Sequence, residues 1–126
     1  MKRHILIIDD EEDIRSLLQA TFERQDYRVT AVANKQEALK VARADAPALI
    51  ISDLQLADED GLVVLAELKQ VLPLVPSILL TGMLFTPKAI ETIEKTVSAY
   101  LPKTTRVAKI IQVARTLLGA GEPVAP

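Results

Sequence analysis

Five side chains in this sequence can do chemistry together: Asp9, Asp10, Asp53, Thr81 and Lys103. Each stands at or just past the end of a short apolar run. Asp9 and Asp10 follow HILII, Ser52-Asp53 follows ALII, Thr81-Gly82 follows SILL, and Pro102-Lys103 follows SAYL. Three carboxylates brought close repel one another, so one must have a raised pKa unless a cation neutralises them. Hard oxygen donors favour Mg2+, Mn2+ or Ca2+ over zinc, and no His or Cys cluster competes. A carboxylate nucleophile, a hydroxyl and a lysine around such an ion suit phosphoryl transfer, where catalysis is mainly positioning and charge neutralisation. Each residue alone has a plainer reading. The acidic pair can open a helix, Asp53 can be a loop acid, Thr81 a strand end and Lys103 a solvated lysine. Their shared place on successive strand ends argues for a site.

The elements that must position them alternate between buried runs and helical periodicity. His4 to Ile8, Ala48 to Ile51 and Ser77 to Leu80 read as strands covered on both faces, as in a parallel sheet. Tyr27 to Ala33 and Ser98 to Leu101 are weaker strands expected nearer the sheet edges. Glu11, Glu12 and Asp13 read as the acidic first turn of a helix carrying Ile14, Leu17, Leu18 and Phe22 inward. Asn34 with Glu37 signals the start of a second helix, and Asp60 caps a third that runs from Gly61 toward Pro73. Thr86-Pro87 opens a fourth, with Ile90 and Ile93 inward. Thr104 or Thr105 opens a fifth, striped by Val107, Ile110, Ile111, Ala114, Leu117 and Leu118 and ended by Gly119. Five strand-then-helix units imply a parallel sheet with helices on both faces and right-handed crossovers, and ligands in such sheets bind outside the strands' carboxyl ends. His4 reads as a strand-edge residue and Tyr100 as a half-buried strand aromatic.

At 126 residues, with 49% apolar and 25% charged residues, the composition is that of one globular domain. A formal net charge of −2 points to neither a nucleic-acid nor a membrane surface, and no cysteine is present to form a disulfide or thiolate site. Ile5 to Ile8 is too short for a signal peptide and no run reaches membrane-spanning length, so a cytoplasmic domain is expected. The segment GAGEPVAP has linker composition, giving a domain over 1–119 and a flexible tail or start of a linker over 120–126.

The ordered set LIIDDEEDIR, LIISDLQLADEDG, ILLTG and AYLPK resembles the receiver domains of two-component response regulators, from Lys2 to about Leu118. The resemblance implies a flavodoxin-like, doubly wound three-layer α/β sandwich with strand order 2-1-3-4-5, an order the chemotaxis receiver exemplifies. It implies that Asp53 accepts a phosphoryl group from a sensor histidine kinase or a histidine phosphotransfer protein. Mg2+, or Mn2+ in its place, would be held by Asp10, Asp53 and the backbone carbonyl of Gln55, with Asp9 helping through water. Lys103 would pair with one phosphoryl oxygen and Thr81 would donate to another, while Tyr100 swings inward as Thr81 moves. The surface of the fourth helix, fifth strand and fifth helix would then change. A downstream protein, an output domain outside this chain, or a second copy would read that surface.

The sequence departs from the family in places. Thr104 follows Lys103 where proline is usual, so a trans bond and an altered loop are expected. Ala57 replaces a frequent proline and Gly82 a usual alanine, while Gln55 and Met83 occupy positions that influence dephosphorylation. Two other readings compete with this one. A Mg2+-dependent phosphohydrolase resembling the haloacid dehalogenases would need an acid at Gln55 and an insert to enclose substrate. A docking module without phosphorylation would not need the full acidic set. The expectation is a signalling switch and not an enzyme, without nucleic-acid contact.

Overall fold

The computed structural model describes residues 2–56, 59–82 and 85–119. Its main sheet has five parallel strands: β1 (His4–Ile8), β2 (Arg28–Val32), β3 (Leu49–Asp53), β4 (Ser77–Thr81) and β5 (Ala99–Pro102). They lie in the order β2-β1-β3-β4-β5. The helices are α1 (Glu12–Arg24), α2 (Lys35–Ala44), α3 (Gly61–Val71), α4 (Pro87–Thr96) and α5 (Val107–Gly119). This is the expected flavodoxin-like arrangement. The tail 120–126, Ala57 and Met83 lie outside the described residues.

Strand alternation divides the apolar residues between two cores. Ile5, Ile7, Leu49, Ile51, Ile78 and Leu80 face Leu18 and Phe22 of α1 and Ile110, Ala114 and Leu118 of α5. Leu6, Ile8, Ile50 and Leu79 face Ala38 and Ala42 of α2, Val64, Leu65 and Leu68 of α3, and Ile93 of α4. Successive side chains of a strand point to opposite faces, so an unbroken run such as ILII fills both layers at once. The two strands with weaker apolar patterns, β2 and β5, are indeed the edges.

Local signals account for most helix starts. Asn34 Oδ1 accepts from Glu37 N–H at 2.9 Å, and Glu37 Oε1 accepts from Ala33 N–H at 3.1 Å. Asp60 Oδ1 accepts from Leu62 N–H, and Thr86 Oγ1 from Ala89 N–H ahead of Pro87. Three details differ from expectation. Helix α5 begins at Val107 and not at Thr104 or Thr105, because Thr105 N–H donates to the Pro102 carbonyl in a turn that uses those residues. Leu17 is 51% exposed, outside the stripe that α1 buries. His4 is buried on the interior strand β1, where its Nε2 meets Thr30 Oγ1 at 2.7 Å and its Nδ1 lies 3.9 Å from Asp45 Oδ2. Among the described residues every peptide bond is trans, as expected at Lys103-Thr104.

Candidate functional site

The carboxyl ends of β1, β3, β4 and β5 carry the chemistry, and backbone hydrogen bonds extend the sheet into the loops that follow. Asp9 N–H donates to the Val32 carbonyl at 3.0 Å, Leu54 N–H to the Leu80 carbonyl at 2.8 Å, and Lys103 N–H to the Thr81 carbonyl at 2.7 Å. The ladder thus aligns Asp9, Asp53 and Lys103 beside one another although they come from distant parts of the chain.

The turn after β1 is fixed at both ends. Asp9 Oδ1 accepts from Glu11 N–H at 2.9 Å, and the Arg15 guanidinium donates to the Asp9 carbonyl at 2.8 Å. Asp53 ends β3, buried, with Oδ1 accepting from Gln55 N–H at 3.2 Å and Oδ2 lying 2.7 Å from Lys103 Nζ. Ser52 Oγ donates to the Asp53 carbonyl. Beyond it, Gln55–Leu56 pairs antiparallel with Glu59–Asp60, which ties the loop after β3 to the start of α3. Gly61 N–H donates to the Leu54 carbonyl at 2.6 Å. A Cβ at Gly61 would fall 1.9 Å from the Asp53 carbonyl oxygen, so only glycine lets α3 approach the strand this closely.

Carboxylate oxygens of Asp9, Asp10, Glu11 and Asp53 all lie within 4.8 Å of one another. Burial, with the Asp53 charge adding to it, raises the Asp9 pKa to about 6 against the hydrogen bond from Glu11 N–H. Asp9 Oδ2 is buried without a hydrogen-bond partner. An unsatisfied buried oxygen among hard oxygen donors fits a divalent cation of the Mg2+ or Mn2+ kind. Burial opposes the charge on Lys103, but the Asp53 and Glu11 carboxylates outweigh it and push its pKa up, which favours the ammonium form.

An open cavity of about 970 Å3 leads to this cluster, lined by Asp10, Glu11, Gln55, Asp60, Phe85 and Lys103 among others. A second, of about 330 Å3, is lined by Thr81, Gly82, Phe85, Tyr100 and Lys103. Thr81 is buried at the end of β4, and Tyr100 is half-buried on the neighbouring β5. The structure therefore brings Asp9, Asp10, Asp53 and Lys103 into one cluster, with Gln55 at its rim and Thr81 and Tyr100 on the adjoining cavity. Sequence reasoning missed Glu11, taken for a helix-opening acid, and the close approach at Gly61. The side chain of Glu11 reaches Lys103 instead.

Comparison with known proteins bears on the family and the fold. The family model described as the response regulator receiver domain matches residues 5–115. The alkaline phosphatase synthesis transcriptional regulatory protein PhoP of Bacillus subtilis (strain 168) is 40% identical over 82 residues, 65% of this chain and 34% of that protein. The C4-dicarboxylate transport transcriptional regulatory protein DctD of Rhizobium meliloti (strain 1021) is 31% identical over 111 residues, 88% of this chain and 24% of that protein. The chain thus spans about a third of the length of the first of these relatives and about a quarter of the second. The receiver domain of NtrX from Brucella abortus superposes with a TM-score of 0.84 at 27% identity, covering 93% of this chain and 99% of that one. A CheY-like receiver domain from Methanospirillum hungatei JF-1 gives 0.86 at 22% identity over 94% of each chain, a likeness of fold alone.

Proposed function

Because the chain belongs to the response regulator receiver domains of two-component signalling, we propose that it is a switch thrown by phosphorylation of Asp53. The observation that carries this reading is Asp53 itself: buried, with one oxygen 2.7 Å from the Lys103 ammonium and other carboxylates within 4.8 Å. A carboxylate oxygen of Asp53 attacks the phosphorus of a phosphohistidine on a sensor kinase or phosphotransfer protein. The new O–P bond forms as the P–N bond breaks, and the imidazole leaves with the electron pair and takes up a proton. Lys103 balances the charge that arrives on Asp53, and the Thr81 hydroxyl donates to a phosphoryl oxygen.

Asp10, Asp53 and the Gln55 carbonyl would hold Mg2+, with Asp9 helping through water. When bound, the ion neutralises the carboxylates and the incoming phosphoryl charge. Phosphorylation favours the arrangement in which Thr81 and Lys103 close on the new group, and Tyr100 follows along the cavity it shares with Thr81. Moving such a switch from mostly off to mostly on takes about 5 kcal/mol of differential stabilisation. The surface of α4, β5 and α5 then meets a downstream protein, a second copy or an output domain elsewhere in a longer chain. The setting is cytoplasmic, and the domain does not itself contact nucleic acid.

Intact mass after incubation with acetyl phosphate and Mg2+ tests the reading. The expected result is a gain of one phosphoryl group, absent in Asp53→Asn and after EDTA. No gain, from acetyl phosphate or from phosphohistidine donors, would refute it and leave a docking module.

A further inference from the structure

Lys103 is shared between two acids. Its ammonium lies 2.7 Å from Asp53 Oδ2 and donates to Glu11 Oε1 at 3.1 Å. Glu11 stands at the N-cap position of α1, where Ser, Thr, Asp or Asn would serve best, and its side chain makes no capping hydrogen bond. Its main chain is held all the same. The Glu11 N–H donates to Asp9 Oδ1 at 2.9 Å, and its carbonyl accepts from Arg15 N–H at 3.0 Å. The backbone is pinned to the acidic cluster while the carboxylate crosses to the turn after β5.

We infer that Glu11 is a positioning residue that opposes activation, holding Lys103 in the unphosphorylated state and releasing it when Asp53 is phosphorylated. This rests on the phosphoryl-acceptor reading of Asp53. A phosphoryl group brings three acceptor oxygens and roughly −1.5 to −2 charges to the side of Lys103 that faces Asp53. The ammonium has three donors on one small head, so its direction is set by the acids around it. Glu11 competes for that direction and, beside a phosphoryl group, adds like-charge repulsion. Its side chain is 59% exposed against 2% for Asp53, so Glu11 is the partner that swings into water at little cost. Glu11 also lines the open cavity that leads to the cluster, where its charge repels an anionic donor.

The test is the affinity for beryllofluoride, which joins a carboxylate oxygen and imitates the phosphoryl group, followed by fluorine NMR at saturating Mg2+. Wild type is compared with Glu11→Gln and with Glu12→Gln, which removes the same charge from the next residue, also exposed. Mg2+ affinity is measured on all three. Glu11→Gln should bind beryllofluoride about two- to fivefold more tightly, the range an exposed ion pair supports. Glu12→Gln should gain clearly less, with Mg2+ affinity unchanged in both. Equal gains in the two variants would assign the effect to overall charge and overturn the inference. So would weaker binding in Glu11→Gln with a fall in Mg2+ affinity, which would make Glu11 part of the metal site. If wild type binds beryllofluoride and Glu11→Gln gains nothing, the inference alone fails. If wild type binds none, the phosphoryl-acceptor reading fails and takes the inference with it.

Discussion

At Asp9, burial and an unpartnered oxygen act in the same direction, since both disfavour the ionised form. Its pKa stands at about 6 in the folded chain against 3.8 for a free aspartate. Between those values the native state binds more protons than the unfolded state, so its stability falls as pH rises through that window and the penalty is complete above it. Urea unfolding of the EDTA-treated protein across that range should show this slope, and Asp9→Asn should flatten it. An unchanged slope in the variant would assign the proton elsewhere. The acidic residues were legible in the sequence because they sit where apolar runs end. The direction of each side chain was not. Glu11 is indistinguishable from Glu12 in a run of acids until the turn after β5 is folded against it. His4 likewise reads as peripheral until β1 is seen to lie between β2 and β3.

The close seat of α3 on the end of β3 belongs to the element scale. Alanine at Gly61 would set its Cβ 1.9 Å from a backbone oxygen that has no rotamer to change, so the strand end or the helix must move. Overpacking of this kind costs about 1–3 kcal/mol and more where the backbone must shift. Gly61→Ala should fall at or above the top of that range in urea unfolding, and should slow phosphoryl uptake because Asp53 is the residue displaced. Asn34→Ala, which deletes the cap of α2 without crowding the Asp53 carbonyl, should cost about 1 kcal/mol, clearly less than Gly61→Ala. A mild effect at Gly61 with normal uptake would contradict the close-approach account. Capping signals made three helix starts legible, at Asn34, Asp60 and Thr86, yet they misplaced the start of α5, since Thr104 and Thr105 are equally good candidates and a turn to Pro102 takes both. The pairing of Gln55–Leu56 with Glu59–Asp60 was not legible, because two-residue strands carry no period.

The whole molecule joins two cores through one sheet, and the candidate metal cluster depends on that sheet being complete. A ligand that binds only the folded form stabilises it by about 2.7 kcal/mol at one hundred times its dissociation constant. Saturating Mg2+ should therefore raise the thermal midpoint, and Asp10→Asn should lose most of the shift; an equal shift in the variant would place the ion elsewhere. The layered architecture was legible because strands buried on both faces must be written as unbroken apolar runs, which leaves little else for ILII or ALII to be. The hydrogen bonds that carry the ladder past the strand ends, to Asp9, Leu54 and Lys103, lead to a different kind of consequence. No single segment holds the cluster of Asp9, Asp53 and Lys103, which exists only after four strands from distant stretches of the chain have found their register. On the proposed reading, a nascent or partly unfolded copy has an aspartate but no acceptor. The geometry would then act as proofreading, so that only a finished molecule is charged with the signal.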